Sequence, residues 1–160
     1  MRRNFHLRKN AMVYGHRNQQ AVTLPELMIS VVVFIVAIVG ILYSYVKCLE
    51  LQDLGRNTSI ATQAVRNKME SIKNSTFATL FGTFNNTIFT ATGINGKGVI
   101  YVDNSNPNLL QIKIVFCWKQ PNGRQIGEDK NLNGVLDAGE DTNANGQLDS
   151  YVQITSNIYG

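Results

Sequence analysis

Leu27 to Val46 reads LMISVVVFIVAIVGILYSYV, twenty consecutive residues without a charge. As a helix rising 1.5 Å per residue, such a stretch spans about 30 Å, the depth of a bilayer's hydrocarbon core. The competing assignment is a buried helix of a soluble domain, but an all-round apolar run of this length favours a membrane span. Ahead of it, residues 1–21 hold Arg2, Arg3, Arg8, Lys9 and Arg17 and no acid. Positive charge stays on the cytoplasmic side, which predicts a cytoplasmic N-terminus and export of the chain beyond the run. A cleaved secretory signal fits poorly. The run exceeds the usual apolar core of a signal peptide, and Tyr43-Ser44-Tyr45-Val46-Lys47 lacks a small-x-small cleavage pattern.

The chain's excess of charge, 15 Lys and Arg against 11 Asp and Glu, lies in those first 21 residues. Beyond them ten basic residues face eleven acidic ones, net −1, so no direct nucleic-acid contact is predicted. His6 and His16 are the only histidines and also lie there. Without the leader the chain has no imidazole for a catalytic triad or a histidine metal site. No nucleophile–base pair can be named in the remainder, so a structural role is expected rather than catalysis. Cys48 and Cys117 allow at most one disulfide, and their placement in the sequence argues against it.

Just before the run stands Ala21-Val22-Thr23-Leu24-Pro25-Glu26. Thr23 and Glu26 have the spacing of a capping box, and Pro25 in the first turn needs no backbone donor. Capping explains a helix start. It does not explain a carboxylate against a membrane core, where charge is costly. These residues, with the basic leader and the apolar run, resemble the N-terminal processing and methylation motif of type IV pilins and pseudopilins. Ala21 stands where that family usually has Gly, and Val22 where it usually has Phe. The resemblance implies that a prepilin peptidase/methyltransferase cuts between Ala21 and Val22 and N-methylates Val22. It makes Glu26 the family's glutamate at the fifth mature position. Other pilin or pseudopilin subunits become the partners, and the bacterial inner membrane the location, spanned once, with the soluble part periplasmic or extracellular. In a filament core as dry as lipid, Glu26 facing the α-amino group of a neighbour's Val22 is compensated, so the pair penalises wrong axial register.

The fold expected is α+β and pilin-like: a long N-terminal helix packed on a small antiparallel β-sheet with an inserted calcium loop. Residues 1–21 form the removed leader, 22–46 the transmembrane and assembly helix, 47–75 its amphipathic continuation, and 76–160 the sheet domain. Ala61, Val65, Met69 and Ile72 fall on one helical face, with Arg66, Lys68, Glu70 and Lys73 off it. Gly55 weakens this helix by about 1 kcal/mol relative to Ala, as a joint or as a tolerated glycine. Ala64 to Ile72 is similar to the helix of minor pseudopilins and pilus-modification minor pilins. Residues 76–97 read as a loop with one short strand, and Val99 to Val102 as a short strand. Leu110, Ile112, Ile114, Phe116 and Trp118 alternate with Gln111, Lys113, Val115, Cys117 and Lys119, which predicts one buried and one largely solvated face. Pro121-Asn122-Gly123 marks a turn, Arg124 to Ile126 a return strand, and Tyr151 to Ile158 a last strand.

Between those last strands, residues 128–149 carry six acids and one Lys and repeat with a period of twelve. Glu128-Asp129-x-Asn131-x-Asn133-Gly134-x-Leu136-Asp137 returns as Glu140-Asp141-x-Asn143-x-Asn145-Gly146-x-Leu148-Asp149. The first copy fits the calcium-loop template, with Asp129, Asn131, Asn133, Asp137 and Glu140 at positions 1, 3, 5, 9 and 12, glycine at 6 and the Val135 carbonyl at 7. A large hard cation needs six to eight oxygens, and alternate residues supply them while glycine makes the bend. The second copy offers Asp141, Asn143, Asn145, the Gln147 carbonyl and Asp149, but Val152 stands at its twelfth position. Glu140 or Asp137 is then the candidate to complete it. Flanking helices are missing, so the loops resemble dockerin-like or thrombospondin-repeat calcium loops more than an EF-hand sensor. The alternative is an Asx-rich turn without metal. One Ca²⁺ is expected, and a second if the incomplete loop is filled.

The function these features imply is a structural subunit, of minor type, in a type IV pilus or a type II secretion pseudopilus. A DNA-uptake (competence) pseudopilin and a monomeric, membrane-tethered calcium-binding protein remain open beside it. The tethered module would keep residues 1–21 and make no subunit contacts through its apolar helix.

Overall fold

A computed structural model describes residues 22–160, so Ala21 and the basic leader lie outside the described residues. Helix α1 runs from Leu24 to Lys73, fifty residues. Its first intrahelical bond joins the Leu27 N–H to the Thr23 carbonyl at 3.1 Å, which puts Thr23 at the N-cap. The chain divides into two compact units at Leu42/Tyr43. In the first, every described residue from Val22 to Leu42 is exposed, although nearly all are apolar. This part of the helix is long and apolar enough to cross a membrane.

In the second unit α1 becomes one-sided. Asn57, Ala61, Val65, Met69 and Ile72 are buried at spacings of four, four, four and three, the expected stripe. The helix continues through Gly55, where an added Cβ would meet open space, so this glycine is tolerated rather than a break. The end at Lys73 is closed by bonds from Asn74 N–H to the Glu70 carbonyl and from Ser75 N–H to the Ile72 carbonyl.

The segment after it departs from the expected loop. Phe77 to Phe84 is a second helix, α2, before strand β1, Thr87–Phe89. Eight residues rich in Phe and Thr have little helical preference of their own. Burial decides instead: Leu80 is fully buried, and Phe77 and Phe84 pack against the same core. Strand β2 spans Gly96–Asn106, far longer than Val99 to Val102. Its glycines and its polar end conceal it in the sequence, yet pairing uses them. Phe89 lies across Gly98, where a side chain's Cβ would strike the ring.

Strands β3 (Leu109–Lys119), β4 (Gln125–Ile126) and β5 (Val152–Tyr159) complete one antiparallel sheet. The order is β1-β2-β3, and β3's far edge pairs first with β5 and then with β4. Ile114 sits opposite both Ile100 and Ile154, while Trp118 sits opposite Gly96 and Ile126. One face of β3, with Ile112, Ile114, Phe116 and Trp118, joins the helix stripe in the main core. Phe89, Phe116 and Trp118 form its aromatic centre, with ring centroids 5.8 and 6.5 Å apart.

The opposite face is not largely solvated. Val115 and Cys117 are buried there with Val99 and Leu148, and Leu132, Leu136 and Tyr101 pack around them. All three leucines come from the acidic insertion, so it covers the sheet rather than looping into solvent. Cys117 is a free thiol, and burial pushes its pKa up to about 11; Cys48 is also free and exposed.

Candidate functional site

Two sets of residues stand out, one at each unit. At the N-terminal end, Val22 precedes α1 and Glu26 lies in its first turn, both exposed. The Ser30 hydroxyl donates to the Glu26 backbone carbonyl at 2.8 Å. Ala21, the other processing residue, falls outside the described residues.

The second set is the insertion between β4 and β5, whose two copies fold as duplicates. In the first, the Asp129 carboxylate accepts from Asn133 N–H at 3.1 Å and Gly134 N–H at 2.7 Å. Asn131 Oδ1 accepts from Asn133 N–H, and Asn133 Oδ1 from Val135 N–H. Each bond recurs twelve residues on. Asp141 accepts from Asn145 and Gly146 N–H, Asn143 Oδ1 from Asn145, and Asn145 Oδ1 from Gln147. The fourth position is left-handed in both, Leu132 at φ 57° and Ala144 at φ 58°, and so is the sixth, Gly134 at 80° and Gly146 at 76°. At Gly134 a side chain would also press on Ile88, so glycine is needed twice over.

Each loop gathers its polar ends at one point. The Asn131 and Asn133 amides both donate to Asp137 Oδ2 at 2.7 Å. The Asn143 and Asn145 amides do the same to Asp149 Oδ2, at 2.7 and 2.5 Å. The closing carboxylate is where the expectation from sequence needs correction. Glu140 closes the first loop, accepting from Lys130 N–H at 2.8 Å and Asp137 N–H at 3.1 Å. Neither Glu140 nor Asp137 serves the second. Glu128 does, accepting from Thr142 N–H at 3.0 Å and Asp149 N–H at 2.9 Å, the equivalent pair of donors. The Thr142 hydroxyl donates to the same carboxylate. The signal lay in the repeat itself: Glu precedes Asp at both 128–129 and 140–141, and a bond from Glu128 N–H to the Asp149 carbonyl brings the first Glu to the end of the second loop.

The loops differ in surroundings. Asp129 and Glu140 are buried, 1% and 4% exposed, and burial with the Glu140 charge nearby raises the Asp129 pKa. Asp149 is also partly buried, which opposes ionisation. Hydrogen bonds from Lys113, Asn143 and Asn145 outweigh that and hold its carboxyl below the usual range. Lys113 reaches it from β3 at 2.6 Å. Among the described residues no three His, Cys, Asp or Glu groups crowd together as a ready metal cluster. The donor set is instead mixed. Asp129, Asn131, Asn133, Asp137, the Val135 carbonyl and a two-oxygen Glu140 match the hard, oxygen-only requirement of Ca²⁺. Asp141, Asn143, Asn145, the Gln147 carbonyl, Asp149 and Glu128 offer the same set again.

No family model, curated protein or solved structure matches this chain.

Proposed function

We propose that this chain is a pilin-like structural subunit, held in a membrane and packed into a filament through α1, with a calcium-stabilised sheet domain. The observation that carries it is α1 itself. One continuous helix, Leu24 to Lys73, exposes its apolar residues through Leu42 and then contributes a buried stripe to the sheet domain's core. A helix needed only as an anchor has no use for a carboxylate at Glu26. In an assembly of such helices, Glu26 is matched by the amine of a neighbouring Val22.

The insertion is proposed as two calcium loops. Six acidic residues against a single Lys repel one another, and their loops sit on the sheet through Leu132, Leu136 and Leu148. A cation held there would lock β4 and β5 to the same edge of β3, which makes it a device for stiffening the exposed domain. The test is fractionation of a tagged chain from cells that carry a type IV assembly machinery. A subunit sediments with sheared filaments. A tethered monomer stays in the membrane fraction whatever the state of the machinery, and that result would overturn the proposal.

A further inference from the structure

The β3–β4 turn carries a buried polar group that the fold does not satisfy. Asn57 of α1 donates through Nδ2 to Gln120 Oε1 at 2.9 Å, and both residues are at least nine-tenths buried. Gln120 Nε2 is buried and has no hydrogen-bond partner. A donor left in that state is costly unless something outside the fold accepts from it. Gln120 lines a cleft of about 170 Å³, whose other walls are Lys47, Glu50, Leu51, Leu54, Asn122 and Arg124.

The cleft is mostly apolar and carries a net positive charge. Lys47 pairs with Glu50 at 2.9 Å, which cancels one charge of each sign. Arg124 has no ion-pair partner among the described residues, so its guanidinium sets the net charge at +1. The turn is held in place by bonds from Gln120 N–H to the Arg124 carbonyl at 2.8 Å and from Gly123 N–H to the Gln120 carbonyl at 2.9 Å. Lys47 is the first charge after the apolar run, and Leu51 and Leu54 follow on the same side of the helix at i+4 and i+7. An anion bound here therefore sits within about two helical turns of the run's end.

We infer that this cleft takes the phosphodiester of a membrane phospholipid. Arg124 offers a planar fork to two phosphate oxygens, a small rotation of the buried Gln120 amide brings its unpaired N–H to one of them, and Leu51 and Leu54 border the glycerol end. The inference rests on the membrane reading of the apolar run, and the two fail differently. A chain that is not retained in membranes breaks the reading, whereas a retained chain that ignores phosphate breaks only the inference.

The experiment is native mass spectrometry of the full chain in detergent, titrated with phosphatidylglycerol, with diacylglycerol of the same acyl chains, or with inorganic phosphate. Wild type should keep one phosphatidylglycerol above the diacylglycerol background. Arg124→Gln, at an exposed position, should lower that retention about tenfold, the order expected for a lost charge-assisted bond. Gln120→Glu keeps the acceptor for Asn57 but replaces the free donor with an anion, and should lower it as much. Arg124→Lys should restore part of it. Equal retention in wild type and Arg124→Gln would overturn the inference. So would saturation by inorganic phosphate that displaces the lipid, since the site would then belong to a soluble anion.

Discussion

Glu140 closes the loop that begins after Glu128, and Glu128 closes the loop that begins after Glu140. The two carboxylates are twelve residues apart and make the same pair of backbone bonds, one to the second residue and one to the ninth residue of the loop each serves. The insertion is therefore a closed pair in which neither loop is complete without the other's leading glutamate.

That reciprocity separates two variants. Calorimetric titration of the full chain in detergent should find two Ca²⁺ per wild-type chain. Glu128→Gln should abolish binding at the second loop and leave the first, while Glu140→Gln does the reverse. With calcium bound only to the folded state, a hundredfold excess over Kd adds about 2.7 kcal/mol for each site, and Mg²⁺ should add less. Unchanged stoichiometry in Glu128→Gln would mean that its carboxylate is only a backbone cap.

Asp129 should show its charge through pH. Its pKa is raised in the fold, chiefly by burial, so the folded state binds its proton more tightly than the unfolded state. Stability from this group is present at low pH and lost as pH rises through the raised value, upward from about 4. In EDTA, the stability difference between wild type and Asp129→Asn should shift in favour of the variant between about pH 4 and about pH 6. Denaturant melts at the two pH values measure it, and a shift toward wild type contradicts the assignment.

Asp149 carries the opposite sign. Lys113 and two asparagine amides lower its pKa, so its contribution is full above about pH 4 and fades as pH falls through the lowered value. Lys113→Met should lose this contribution at neutral pH in EDTA and converge on wild type in strong acid. The same variant frees Asp149 Oδ1 from an ammonium at 2.6 Å, so calcium at the second loop should tighten, by about tenfold if the ion pair opposes it with about 1.4 kcal/mol. A weaker second site in Lys113→Met would show that lysine supports the loop rather than competing with the cation.

Glu26→Gln should insert in the membrane and be processed normally yet enter filaments poorly, because the neutral amide no longer matches a neighbour's amine. Quantifying the variant in sheared filaments against wild type checks this. Equal incorporation would reduce Glu26 to a residue of the helix start.

The elements with strong periodicity were legible in the sequence. The stripe Ala61, Val65, Met69, Ile72 and the core face of β3, Leu110, Ile112, Ile114, Phe116 and Trp118, appear as read, because burial imposes those periods directly. Helix α2 was not legible, since Phe77, Leu80 and Phe84 gain their order from packing. The long β2 hid behind Gly96, Gly98 and a polar tail that only the pairing with β3 explains. Val115 and Cys117 looked like half of a solvated face because Leu148, which covers them, lies over thirty residues away in a segment that reads as a loop. Glu128 escaped for a related reason. A linear template searches for position twelve downstream, whereas this chain supplies it from upstream by folding the insertion back on itself.

The central claim, a subunit matured for assembly, is tested most directly by intact-mass and N-terminal fragment analysis of the chain recovered from cells with an active prepilin peptidase. The predicted result is a chain that starts at Val22 and carries one methyl group on its α-amine. A chain that retains residues 1–21, or an unmethylated terminus elsewhere, would contradict it.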